Sequence, residues 1–244
     1  MSIERREVAA ALAPNVGDGI RASSNGWSFG GDVWRSFDEH IRRSIPGYAD
    51  LHDWVVQDAR TRLSPGALIY DLGSATGTLS QRLARELPLA SVVGIDCERP
   101  MIRCASRGAP DNLSFQCQDL CRFEFMSCHW ASCCFTLQFL PIAQRAPVLG
   151  RLYDAMQPGG AIVLAEKVKR RDPEAEAACQ AALRDFKKRQ GFSDDEVVAK
   201  ASSIEGVLVP LFDDENVALL QNAGFCKPRL VFRNTSFDAW IAVK

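Results

Sequence analysis

Short apolar runs alternate with amphipathic stretches through most of the chain. Ala67–Leu72, Ala90–Asp96, Leu113–Leu120, His129–Cys134 and Ala161–Ala165 have the length and content of strands buried on both faces. Between them lie segments with apolar residues at helical spacing, so strand and helix alternate four times. That order predicts a doubly wound, mainly parallel α/β sheet. Residues 1–24 read as a short helix followed by a polar segment. Trp27, Phe29, Trp34 and Phe37 then fall within eleven residues, ahead of Ile41 and Arg43-Ser44-Ile45-Pro46-Gly47-Tyr48. Two readings stay open for them: a helix packing its aromatics on the core, or a lid whose rings close over a bound cation.

Residues 49–63 form an amphipathic helix with Leu51, Trp54, Val55 and Ala59 on one side. Pro158-Gly159-Gly160 punctuates the end of a helix over 142–156. After the fifth strand, residues 173–203 break the alternation with two helical stretches, the second opened by the capping box Ser193-Asp194-Asp195-Glu196. This insertion reads as packing decoration, as a cap over the crevice, or as a dimer contact. A helix near 213–223 and strands over 228–232 and 236–243 close the chain. The organisation is an N-terminal segment over 1–25 and a single domain over 26–244, with a lid at 26–50 and a helical insertion at 173–205.

The chain is organised around Asp71-Leu72-Gly73-Ser74-Ala75-Thr76-Gly77, where a buried strand ends in an acid and passes two glycines into a helix near Leu79. Glycine permits sharp turns and close backbone approach to a ligand, and the helix aims free N–H groups into the loop. The spacing matches neither the dinucleotide fingerprint nor a phosphate-binding P-loop. Asp96 ends the next strand about 25 residues later, placing a carboxylate where it accepts hydrogen bonds from a ribose diol. Asp119-Leu120 suits an adenine amino group and ring. Phe135–Leu140 follow the fourth strand at the end that faces the ligand crevice.

Composition narrows the field. Of 244 residues, 47% are apolar and 24% charged, ordinary values for a globular protein. With 29 basic and 30 acidic residues the net charge is −1, so no global field favours nucleic acid or an anionic membrane. No apolar run approaches the roughly 18 residues of a membrane span, and the mixed-charge N-terminus lacks a signal-peptide core. The expected location is the cytoplasm. Nine cysteines are scattered without a Cys-x-x-Cys pair, and His40, His52 and His129 form no ligand-spaced cluster, which argues against a metal site or a disulfide framework. His129 is the nearest candidate for a general base, although its place at a strand start favours a structural role.

The loop Asp71-x-Gly73-x-x-x-Gly77, Asp96, Asp119-Leu120 and Pro158-Gly159-Gly160 together resemble the class I S-adenosylmethionine-dependent methyltransferases. Arg43–Tyr48, Phe135–Leu140, Glu166-Lys167 and Asp185-Phe186-Lys187 further resemble the bacterial carboxy-S-adenosylmethionine synthases, over roughly residues 26–244. The resemblance implies a Rossmann-like, seven-stranded sheet with its last strand antiparallel, a homodimer, S-adenosylmethionine as donor or sole substrate, and a small-molecule second substrate. It places Asp71, Gly73, Ser74, Ala75, Gly77, Asp96, Cys97, Met101, Asp119, Leu120 and Cys134 against the bound ligand. Trp34, Tyr48, Cys134 and Phe135 fall around the reacting sulfonium.

Two positions depart from the pattern. Cys134 stands where that family has an asparagine, and Ala201 falls where it has an arginine that holds the ligand's extra carboxylate. An unpaired carboxylate in a closed pocket costs about 2–5 kcal/mol, and Lys200 lacks the bidentate fork of arginine. The sequence therefore favours methyl transfer to a small acceptor. Cyclisation of S-adenosylmethionine to azetidine-2-carboxylate, as in the methyltransferase-like azetidine-2-carboxylate synthases, comes next, followed by retained carboxy transfer. Last is a non-catalytic ligand-binding partner of another enzyme.

Overall fold

The computed structural model describes residue 16 and residues 29–244. Trp27 and nearly all of the N-terminal segment over 1–25 lie outside the described residues. A 3₁₀ turn at Val33–Arg35 leads into α1 (Phe37–Ser44), and Gly47, at φ +74°, turns the chain into α2 (Tyr48–Arg62). The alternating part follows as β1 (Leu68–Leu72), α3 (Thr78–Glu86), β2 (Ser91–Asp96), α4 (Arg99–Ala105), β3 (Leu113–Cys117), β4 (Cys128–Cys134), α5 (Ile142–Ala155) and β5 (Met156–Lys169). Then come α6 (Pro173–Arg189), α7 (Asp194–Ser203), the two-residue β6 (Leu211–Phe212), α8 (Asp213–Asn222), β7 (Cys226–Asn234) and β8 (Phe237–Val243).

The sheet runs β3-β2-β1-β4-β5-β8-β7, parallel except for β8, which is antiparallel to both neighbours. These are the seven strands expected, joined by β6 alongside the end of β5. The helix α5 ends at Ala155, ahead of Pro158-Gly159-Gly160 as expected, but the motif does not precede the strand, and the pairing with β4 skips over it from Met156 to Ala161. The motif lies inside the 14-residue β5, where the Gly159 N–H donates to Lys244 O and the Lys244 N–H donates to Gly160 O.

Alternation along the strands sorts two cores. Ile69, Val92, Trp130, Val163 and Ile241 face α2 and α3, while Tyr70, Val93, Ala131, Ile162 and Trp240 face α5 and α8. Strand order reverses between β1 and β4, which opens a crevice at the carboxyl ends of the strands. The insertion is two helices as expected. Asp172 caps α6, and Ser193 and Glu196 form the capping box of α7. Arg43 of α1 ties the lid to this insertion by donating to Gln190 O at 2.6 and 2.9 Å and lying over the Phe192 ring. Among the described residues no helix is long and apolar enough to cross a membrane.

Candidate active site

A cavity of about 300 Å³ occupies the crevice, floored by the ends of β1, β2 and β4 and covered by α1, α2, α6 and α7. Gly73 makes its first turn at φ +75°, with the N–H groups of Gly73 and Ser74 both donating to Ile95 O. A Cβ on Gly73 would sit 2.1 Å from Thr136 Oγ1, and one on Gly77, at φ +81°, 2.6 Å from Phe115 Cζ. The space that a side chain would fill is taken by protein at both positions. The glycines thus serve positive φ and close packing, which corrects the expectation that the missing Cβ makes room for the ligand. Gly77 does not line the cavity.

Asp71 is buried, and each of its oxygens accepts a hydroxyl, from Ser80 at 2.5 Å and Ser132 at 2.8 Å. It braces the loop from below. Asp96 accepts from the N–H groups of Ala75 at 2.9 Å and Glu98 at 2.8 Å, and lines the cavity beside Cys97, Met101, Asp119 and Leu120. Burial raises the Asp96 carboxyl above its ordinary range and pushes the Cys97 thiol up to about 11. This end brings Ser74, Ala75, Asp96, Cys97, Met101, Asp119 and Leu120 together, as the sequence predicts.

The opposite wall is more mixed. Tyr48, Cys134 and Phe135 all line the cavity. Burial, with Asp71 and Glu166 nearby, drives the Cys134 thiol well above its normal range, so it is a neutral thiol. Phe135 adopts φ +58°, and the three following N–H groups, of Thr136, Leu137 and Gln138, all donate to Glu166. Glu166 is held by these bonds, while burial lifts it to about 8.

Trp34 is a correction. It lies outside the cavity, with the guanidinium carbons of Arg35 and Arg107 at 4.8 and 5.3 Å from its ring, so its cations come from the protein. The rings that do face the cavity are Phe29, Phe37, Tyr48, Phe135, Phe139 and Phe237. His129 is at the far end of the sheet, accepting the Leu68 N–H at Nδ1, and cannot serve as a base here.

Apart from Lys200, which the sequence already sets against the missing arginine, several cavity residues have no site role in the sequence. His40 and His52 both line it, and His52 stands four residues after Tyr48 on the same face of α2. Lys167, Lys187 and Lys200 converge on it from β5, α6 and α7. Burial and the mutual charge lower Lys187 to about 8 and Lys200 to about 6. Ala201 is exposed and does not line the cavity, so its methyl leaves no gap in the wall. Asp38 fastens the lid by accepting Thr76 Oγ1 at 2.6 Å and Thr78 Oγ1 at 2.8 Å, from the glycine loop and the first residue of α3.

The comparisons with known proteins agree with this geometry. A methyltransferase-domain family model matches residues 69–160. The carboxy-S-adenosyl-L-methionine synthase of Marinobacter nauticus is 35% identical over 224 residues, 88% of this chain and 89% of that protein. The Helicobacter pylori protein of the same name is 33% identical over 218 residues, 85% and 90% of the two chains. Among solved structures, a plantazolicin methyltransferase complexed with S-adenosylhomocysteine superposes with a TM-score of 0.62 at 14% identity, covering 87% of this chain and 94% of that one. Human N-acetylserotonin methyltransferase complexed with S-adenosylmethionine gives 0.55 at 18% identity, covering 87% and 57%.

Proposed function

The chain belongs to the carboxy-S-adenosyl-L-methionine synthase family, within the class I methyltransferases, and is an S-adenosylmethionine-dependent transferase; from this premise we propose that it transfers a carboxyl group to the sulfonium methyl carbon. The observation that carries the reading is the lysine wall. Lys167, Lys187 and Lys200 bring three amines to one cavity, and Lys187 has no carboxylate partner among the described residues. A buried cation without a counter-ion is costly, and an anionic second reactant supplies one. Ala201 is exposed and adds nothing to this wall, so in this reading the contacts to a carboxylate fall to the three lysines.

In this reading Asp96 holds the ribose, and Asp119 and Leu120 receive the adenine. The Gly73–Ala75 loop takes the methionine portion, and Tyr48 and Phe135 face the sulfonium. The step exchanges a C–H bond of the sulfonium methyl for a C–C bond to the carboxyl carbon. With prephenate, the ring carboxyl leaves as carbon dioxide and the ring hydroxyl as hydroxide, giving an aromatic remnant; the hydroxide takes the methyl proton as water, and the carbanion left on the methyl carbon bonds to the carbon dioxide. The chain's contribution is to align the two reactants and exclude water. The resemblance also carries the homodimer into this proposal, and sedimentation equilibrium of the purified protein measures it.

The test is mass spectrometry of the purified protein incubated with S-adenosylmethionine, with and without prephenate as carboxyl donor. A sulfonium product heavier by one carbon dioxide is expected only with the donor. Methylthioadenosine and a four-carbon cyclic amino acid from S-adenosylmethionine alone would instead establish cyclisation. S-adenosylhomocysteine with a methylated acceptor would establish methyl transfer.

A further inference from the structure

The methionine end of S-adenosylmethionine carries an ammonium, which needs hydrogen-bond acceptors once water is excluded. The carboxylates around the glycine loop are already engaged. Both oxygens of Asp71 accept serine hydroxyls, Asp38 lies outside the cavity lining and takes two threonine hydroxyls, and Glu166 takes three backbone N–H groups. Two further side-chain acceptors face the cavity. Ser74 Oγ is buried with no partner among the described residues. The His52 ring is 3% exposed and touches Tyr48 at 4.2 Å between centroids, with neither ring nitrogen hydrogen-bonded to any described residue.

His52 lines the cavity from α2, in the field of four charges. It feels Arg42 and Asp38 of α1, Arg82 of α3 and Asp53 of its own helix. Asp38 is itself bonded to Thr76 and Thr78, and Arg82 is paired with Asp53 at 2.5 Å. The two arginines act on His52 more strongly than the two carboxylates, which holds the ring in its neutral form. Burial and the two arginines lower His52 to about 4, which keeps it neutral at physiological pH. A neutral imidazole always presents one nitrogen lone pair.

We propose that His52 accepts a hydrogen bond from the α-ammonium of S-adenosylmethionine, with Ser74 Oγ as the second acceptor. This rests on the ligand alone and holds whichever reactant arrives second.

The test is calorimetric binding of two probes to the wild type, His52→Leu and His52→Gln. One probe is S-adenosylhomocysteine, which carries the same ammonium, and the other is its analogue with hydrogen in place of the amino group. His52→Leu is expected to weaken S-adenosylhomocysteine about tenfold, the loss of one hydrogen bond to a charged group, and to leave the deamino analogue unchanged. His52→Gln keeps an acceptor and restores most of the loss. The proposal is overturned if His52→Leu weakens both probes equally, which marks a packing role, or weakens neither. If neither probe binds the wild type, the ligand reading itself fails, an outcome separate from the other two.

Discussion

The two halves of the cavity are held in different ways. At the adenosyl end, backbone and short side chains are locked to one another: Gly73 and Ser74 to Ile95, Asp96 to Ala75 and Glu98, Asp71 to Ser80 and Ser132. At the capped end, long side chains reach in from separate helices, tied to one another and to the loop by side-chain contacts such as Asp38 to Thr76 and Thr78, Arg43 to Gln190 and Lys188 to Asp194. A locked half presents one fixed geometry to a constant part of the ligand. A half assembled from side chains on separate helices sets which second reactant fits, and it changes at little cost to the fold.

If this contrast is right, the largest damage comes from disturbing the locked half. Gly73→Ala forces a Cβ to 2.1 Å from Thr136 Oγ1 at a φ of +75°, adding overpacking to left-handed strain. The expected cost is about 2–5 kcal/mol, read from the urea midpoint. A variant that unfolds like the wild type would show that the loop yields, and the contrast would lose its basis.

Next in size are the lysines. Lys187→Met is expected to weaken use of the carboxyl donor about 30-fold or more, seen as a raised KM for prephenate, the scale of removing one partner from a buried charge pair. S-adenosylhomocysteine affinity is expected to stay within about twofold, because a single added contact of that kind is worth more than this. Equal losses for both ligands would mean that the capped end also grips the constant part, so that the halves are not separate.

Smaller is the effect of the latch. Asp38→Ala removes two hydroxyl-to-carboxylate bonds between α1 and the glycine loop, both partly exposed. About tenfold weaker S-adenosylhomocysteine binding is expected, with faster amide exchange in α1 and unchanged exchange in β1 and β4. Faster exchange in the strands as well would show that the lid and the sheet open together.

The same division governs what the sequence reveals. The locked half follows from local rules: an apolar strand, an acid at its end, a glycine turn and a capped helix, each within a few residues of the next. Ser74, Ala75, Asp96, Cys97, Met101, Asp119 and Leu120 are therefore legible as neighbours in one cavity, even though a Cβ on Gly73 or Gly77 would meet Thr136 or Phe115. The capped half depends on where distant helices land. Trp34 belongs to a conspicuous aromatic cluster, but its ring packs between arginines, one of them, Arg107, from the turn after α4. Ala201 follows a family pattern in position and still points away from the cavity, one residue beyond Lys200, which faces it. Two signals were present and local. His52 lies one helical turn beyond Tyr48, and Lys167 stands toward the carboxyl end of β5, the edge at which open α/β sheets bind ligands.

The finest test separates what a lysine does for the reaction from what it does to the fold. Burial and the neighbouring Lys167 lower Lys187 from 10.5 to about 8 in the folded protein. Between those two pH values the unfolded chain binds more protons than the native one, so stability rises with pH across that window. Below about 8 the lysine is charged in both states and its burial penalty is present in full. Above about 10.5 it is neutral in both, and the penalty is gone. Lys187→Met is therefore expected to stabilise the ligand-free protein most below pH 8, with the advantage over wild type shrinking steadily toward pH 10.5. Comparing the two proteins at each pH cancels groups such as Glu166, whose raised value gives a slope of the opposite sign below about pH 8. An advantage that does not change with pH would mean that the amine is solvated in the folded protein, and the argument for an anionic reactant from its burial would fall with it.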